Sequence, residues 1–210
     1  MPIYKPNPDK AFLSPFGPTV GYFKMSEDVV NTLNSMMNEN LKDFSDNLVG
    51  KVKQELQFSD EIKNYIGNNL VQFLGEYHSY NLQRNSFGNQ VANDSYKLFI
   101  HNGWFVRQFE NEYNPIHIHT GCTLSCVGYL SLPEGIDDEW EEDYKDHYPA
   151  NGHINFTYGV HNPYGCANML IKPEVGDFYV FPQYLFHCVY PFKTKGERRS
   201  FSMNMSFAKS

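Results

Sequence analysis

Cysteine is scarce in this 210-residue chain: there are four, none in a Cys-x-x-Cys pair and none at the spacing of a disulfide framework. Cys122, Cys126, Cys166 and Cys188 therefore read as small buried apolar residues of a protein kept in a reducing compartment. Long hydrophobic runs are lacking too. No stretch approaches the roughly 18 apolar residues that cross a bilayer, and the opening MPIYKPNPDK carries no apolar core of signal-peptide length, so a cytoplasmic protein with no membrane partner is expected. The third absence is a basic excess: 17 Lys and Arg face 24 Asp and Glu, a net charge of −7. A chain without a basic face has little with which to track a phosphate backbone, which counts against a nucleic-acid partner.

The acidic excess has an address. From Glu134 to His147 the segment EGIDDEWEEDYKDH holds eight acids and one lysine, so it alone accounts for the net charge and the rest of the chain is neutral. A solvated loop is the plain reading, and a lid attracting a basic peptide is the sharper one.

What is abundant is aromatic and apolar: 41% hydrophobic, with 17 Phe, 15 Tyr, 15 Gly and 12 Pro, a strand-rich composition. Residues 12–24 suggest a short strand or two. Ser26 then stands as a helix N-cap, with Val29, Leu33, Met36, Met37, Leu41 and Phe44 at helical spacing behind it. Ser59 opens a second such pattern through Ile62, Tyr65, Ile66, Leu70, Phe73, Leu74 and Tyr77. After about residue 95 the period changes to short apolar runs divided by turns: YKLFIHNGWFVRQF, TLSCVGYLSL, HINFTY, NMLIKP, DFYVFP and RSFSMNMSF. His101-Asn102-Gly103-Trp104 is either a tight hairpin or a bulge in one long strand. The order predicts a mainly β protein with helices (α+β), a jelly roll or cupin-like barrel buttressed on its outer face by the N-terminal helices. One domain is expected, with 1–94 as helical support and 95–210 as core.

Chemistry concentrates in Asn114-Pro115-Ile116-His117-Ile118-His119. Two residues apart on a strand, His117 and His119 face the same side with Cα atoms roughly 6.5–7 Å apart, close enough to share an ion. A third ligand has to come from elsewhere, and His187 is well placed at the end of a late strand. Glu197-Arg198-Arg199-Ser200 follows, and alternation lets only one of the two arginines point inward. Cys122 and Cys126, four apart, are expected on one side of their strand near the proposed metal.

The segment from about Trp104 to Phe207 resembles the double-stranded β-helix core of the Fe(II)/2-oxoglutarate dioxygenases. It is similar to their prolyl-hydroxylase-like branch, particularly the short oxygenases of marine phages and bacteria. The pieces that carry the likeness are NPIHIH, LSCVGYLSLP, GDFYVFPQYLFHCVYPF and GERRSFSMN, in that order. The resemblance implies that His117, His119 and His187 bind Fe(II), and that Arg198 grips the distal carboxylate of 2-oxoglutarate with help from Ser200 and Tyr129. The common pattern has aspartate where this chain has His119; Glu110 or Glu112 would be the alternative ligand. Three protein ligands leave three positions on an octahedral iron for 2-oxoglutarate and O2.

The implied activity is hydroxylation of a substrate C–H bond, coupled to oxidative decarboxylation of 2-oxoglutarate to succinate. The implied substrate is a peptidyl proline or another protein side chain. Competing readings keep the oxygenase but give it a free amino acid or small molecule, or keep only a cupin-like three-histidine metal site with Arg198 structural, or make the fold a binding protein. A homodimer is the assembly left open.

Overall fold

A computed structural model describes residues 9–13, 17–85, 95–141, 150–163 and 165–210. Eleven described strands form two antiparallel sheets. The larger has the order β1-β2-β9-β6-β11-β4-β3, made of Lys10–Leu13 (β1), Val20–Lys24 (β2), Asp177–Pro182 (β9), Leu124–Ser131 (β6), Arg198–Lys209 (β11), Tyr96–Gln108 (β4) and Gln54–Gln57 (β3). The smaller has the order β5-β10-β7-β8, made of Asn114–His117 (β5), Phe186–Val189 (β10), Ile154–Thr157 (β7) and Asn168–Ile171 (β8).

Side-chain alternation divides the core in two. Val127, Tyr129, Tyr179 and Phe181 of the large sheet meet Ile154, Phe156 and Ile171 of the small one, which packs the sheets face to face. On the other side of the large sheet Phe105, Cys126, Phe178, Phe201 and Met203 meet the helices. This is the mainly β, helix-buttressed jelly roll that the order of patterns predicts.

The helices are α1 (Glu27–Met36), α2 (Asp60–Asn69) and α3 (Val71–Asn85). Ser26 and Ser59 cap the first two as expected, accepting from the N–H groups of Val29 and Ile62. The first helix stops at Met36 rather than running to Phe44. Asn38 donates to the Met36 carbonyl and accepts from the Asn40 N–H, so its amide competes with the helical pattern. The second stripe is interrupted at Leu70 and makes two helices instead of one.

Other expectations resolve or shift. His101 is the extra residue of a bulge in one long β4, because Asn204 pairs Asn102 and Met205 pairs Ile100. The acidic run begins as a short helix, α4 (Ile136–Glu141), rather than a loop, while residues 142–149 lie outside the described residues. Within that helix Glu139 is buried, and its carboxylate accepts from the Lys193 and Thr194 N–H groups and from Asn151. Cys126 sits against the helices, on the sheet face away from His117 and His119, because the inward positions of β6 are Val127 and Tyr129. Among the described residues no helix is long and apolar enough to cross a membrane.

Candidate metal centre

His117 ends β5, and His187 lies directly across from it in β10. His187 is therefore not the end of the Asp177–Pro182 strand. The chain leaves that strand at Pro182 and crosses to the other sheet, which carries the imidazole over. His119 lies just past β5 and is held there by its N–H, which donates to the Gln183 carbonyl at 3.0 Å. Two stretches of chain thus bring three imidazoles together, with one ligand nitrogen from each imidazole inside a 4.8 Å span. Among the described residues this is the one group of histidine, cysteine or carboxylate side chains suited to an ion. Glu112 is not among its members, because its carboxylate accepts from the Phe109 N–H.

The donor set fits a divalent ion. His117 Nδ1 lies 2.7 Å from the Pro115 carbonyl and His187 Nδ1 lies 2.9 Å from the Leu185 carbonyl. A carbonyl only accepts, so each Nδ1 carries the proton and each Nε2 presents a lone pair. Burial pulls all three pKa values down, to about 4 for His119, where nearby His117 adds to the effect, and well down for His187. The imidazoles are neutral at pH 7, as ligands have to be. His119 Nε2 stands 3.3 Å from His187 Nε2. Two nitrogens at about 2.1 Å from one ion and at right angles to each other would stand about 3 Å apart.

Arg198 opens β11 and is 2% exposed. Its Nη1 donates to the Gly152 carbonyl at 2.7 Å and its Nη2 to Gln108 Oε1, while its Nε has no partner. Tyr129 and Phe192 flank the guanidinium, and no carboxylate among the described residues pairs with it. Arg199 faces the other way, onto Glu197, which also takes Arg107. Ser200 and Tyr129 are cross-strand neighbours on the inner face of β11 and β6. The Tyr129 hydroxyl is buried without a partner, and burial pushes its pKa up to about 12, so the phenol keeps its proton and can donate.

A cavity of about 230 Å³ joins these groups, lined by the three histidines, Tyr129, Arg198 and Ser200. Two residues at or behind this cavity were missed by sequence reasoning. Gln108, wholly buried, fixes Arg198. Glu55 lines the cavity from β3, a strand of four residues with a single apolar side chain that gives no periodic signal.

Residues 102–204 match the family described as "Putative 2OG-Fe(II) oxygenase". No curated protein sequence matches the chain. Among solved structures, a 2OG-Fe(II) oxygenase family oxidoreductase from Burkholderia pseudomallei is similar, with 14% identity, TM-score 0.57, and 89% of this chain and 84% of that one covered. A prolyl-4-hydroxylase from Pseudomonas putida has 14% identity and TM-score 0.53, with 89% and 91% covered. HygX from Streptomyces hygroscopicus, solved with nickel, 2-oxoglutarate and hygromycin B, has 11% identity and TM-score 0.51, with 89% and 82% covered. The matched segment spans the metal strand, the late histidine and the arginine, so this half of the chain is similar to the 2OG-Fe(II) oxygenases, enzymes of iron and 2-oxoglutarate.

Proposed function

We propose that His117, His119 and His187 hold the iron, that Arg198, Ser200 and Tyr129 hold 2-oxoglutarate, and that the enzyme hydroxylates a side chain of a peptide or protein, peptidyl proline included. The observation that carries the cosubstrate assignment is Arg198. A buried cation without a counter-charge is costly, and a dicarboxylate entering the cavity would supply one. Gln108 and Gly152 tie one donor on each terminal nitrogen and leave Nε unpartnered, so the guanidinium is already oriented for a two-point contact. The Tyr129 hydroxyl and the Ser200 side chain add donors on the same inner face. A three-histidine metal protein that does not use 2-oxoglutarate needs no such cation, so the unpaired charge favours the oxygenase reading over that one.

When bound, Fe(II) with 2-oxoglutarate and O2 supplies the oxidising power, releasing succinate and CO2. The chain's own part is to present three neutral imidazoles, orient the cosubstrate through Arg198, and keep the cavity dry with Val127, Ile154 and Phe181. A peptide substrate is supported by β5, the edge strand of the small sheet. Past the Lys51–Tyr113 bridge, its outer edge pairs with no strand among the described residues and runs beside the histidines, with Ile116 and Ile118 at 59% and 40% exposure, and an extended peptide could add along it.

The test is anaerobic addition of Fe(II) and 2-oxoglutarate to the purified protein while following the visible charge-transfer band of the chelated complex. The wild type is expected to develop the band, and Arg198→Ala to require roughly 30-fold more 2-oxoglutarate, as loss of a charge-assisted contact implies. No band in the wild type rejects the oxygenase reading. An unchanged titration in the variant rejects Arg198 as the anchor.

A further inference from the structure

The cavity contains a second buried charge without a partner, of the opposite sign. Glu55 is 2% exposed, its Oε2 makes no hydrogen bond, and no lysine or arginine among the described residues pairs with its carboxylate. The residue lies on the inner face of β3, in a cross-strand row that runs Glu55, Val106, Ser200, Tyr129 across β3, β4, β11 and β6. Two strand spacings separate Glu55 from Ser200, roughly 10 Å. Glu55 is thus outside the cosubstrate pocket, yet it lines the same cavity as the three histidines.

The surroundings argue against a purely structural carboxylate. The segment Asn47–Gly50 closes over it, and a Cβ on Gly50 would lie 3.0 Å from both carboxylate oxygens and 2.6 Å from Asn114 Oδ1. Glycine at this position leaves room where a side chain would press on the acid. Asp43, nearby, is a second negative charge that makes an unpaired carboxylate worse. Burial and Asp43 together push the Glu55 pKa up to about 7. Oxygen atoms of this kind want a cation or a strong donor, and for Oε2 the described residues bring none.

We propose that Glu55 is the specificity residue for the primary substrate, and that it receives the positively charged nitrogen of a peptidyl lysine or arginine whose side chain enters the cavity beside the iron. This rests on the oxygenase reading above and narrows it: the two unpaired charges divide the cavity, Arg198 taking the anionic cosubstrate and Glu55 the cationic substrate. A carboxylate in a site shielded from water distinguishes such a side chain from an uncharged one of the same length, since the uncharged one would leave Glu55 buried and unmatched.

The test is calorimetric titration, under argon, of the protein loaded with Fe(II) and 2-oxoglutarate. Four capped tripeptides serve as probes, acetyl-Ala-X-Ala-amide with X as lysine, arginine, norleucine or proline, and the loaded state is read from the charge-transfer band of the same sample. The lysine or arginine peptide is expected to bind at least about tenfold more tightly than the norleucine and proline peptides, as a charged hydrogen bond in a dry site implies. Glu55→Gln should bring all four within about twofold of one another, whereas Glu55→Asp, which keeps the charge, should retain part of the preference. Equal binding of all four peptides to the wild type, binding of none, or a preference that survives Glu55→Gln overturns the proposal while the band stands. Absence of the band overturns the oxygenase reading first, and this proposal with it.

Discussion

The two faces of the large sheet are built by the same strands, residue by residue, and have opposite chemistry. On the helix side, Phe105, Phe178, Phe201 and Met203 are fully buried and apolar. On the cavity side the same strands present Arg198, Ser200, Tyr129 and Glu55, buried polar groups several of whose donors and acceptors lack partners. One face supplies stability and the other spends it on binding, since buried unmatched charge is destabilising until a ligand arrives.

Substitutions on the two faces should therefore fail in different assays. The largest expected effect is on the helix side. Phe201→Ala, which removes the ring resting on Gly128 and touching Phe58 and Phe178, should cost about 3–5 kcal/mol in denaturant unfolding. A loss under about 1 kcal/mol would mean that the helices contribute little to holding the sheet.

On the cavity side the sign reverses. Glu55 has a folded pKa of about 7 against an ordinary 4.5, so between those values the folded state keeps a proton that the unfolded chain has lost. Stability from this group accordingly falls as pH rises through that window, and the penalty is complete above it. Glu55→Gln should gain on the wild type by about 2–3 kcal/mol between pH 4.5 and pH 8 in ligand-free protein. A constant difference across that range would show that Glu55 titrates normally.

Two smaller effects sharpen the contrast. Ser200→Ala should raise the 2-oxoglutarate concentration needed for half-maximal turnover by roughly threefold to tenfold, with little change in melting temperature, because one hydroxyl contact is lost. Ser26→Ala, at the start of α1 and remote from the cavity, should cost about 1 kcal/mol of stability and leave turnover unchanged.

The legible parts of this protein are those that repeat with a period or form a compact motif. The strands after residue 95 announce themselves by alternation, and Ser26 and Ser59 by capping chemistry ahead of an apolar stripe. His117 and His119 stand two apart, so local geometry alone suggests a shared ligand. Less legible were events settled by a single side chain or a distant partner. The end of α1 depends on Asn38, and the bulge at His101 on the register with β11. The burial of Glu139 depends on the 193–194 backbone, which a reading of the acidic run as a loop could not anticipate.

By itself, the sequence determined the class of fold and the residue types at the site, because hydrophobic period and ligand chemistry are local properties. Tertiary structure alone decided which of those residues meet. It carried His187 from the large sheet to the small one, directly opposite His117, and left Arg198 inside without an anion among the described residues. It also brought Glu55 from an unremarked strand into the same cavity, without a cation among the described residues. The physical reason is that an unpaired charge is defined by what is missing around it, and absence in space cannot be read along a chain.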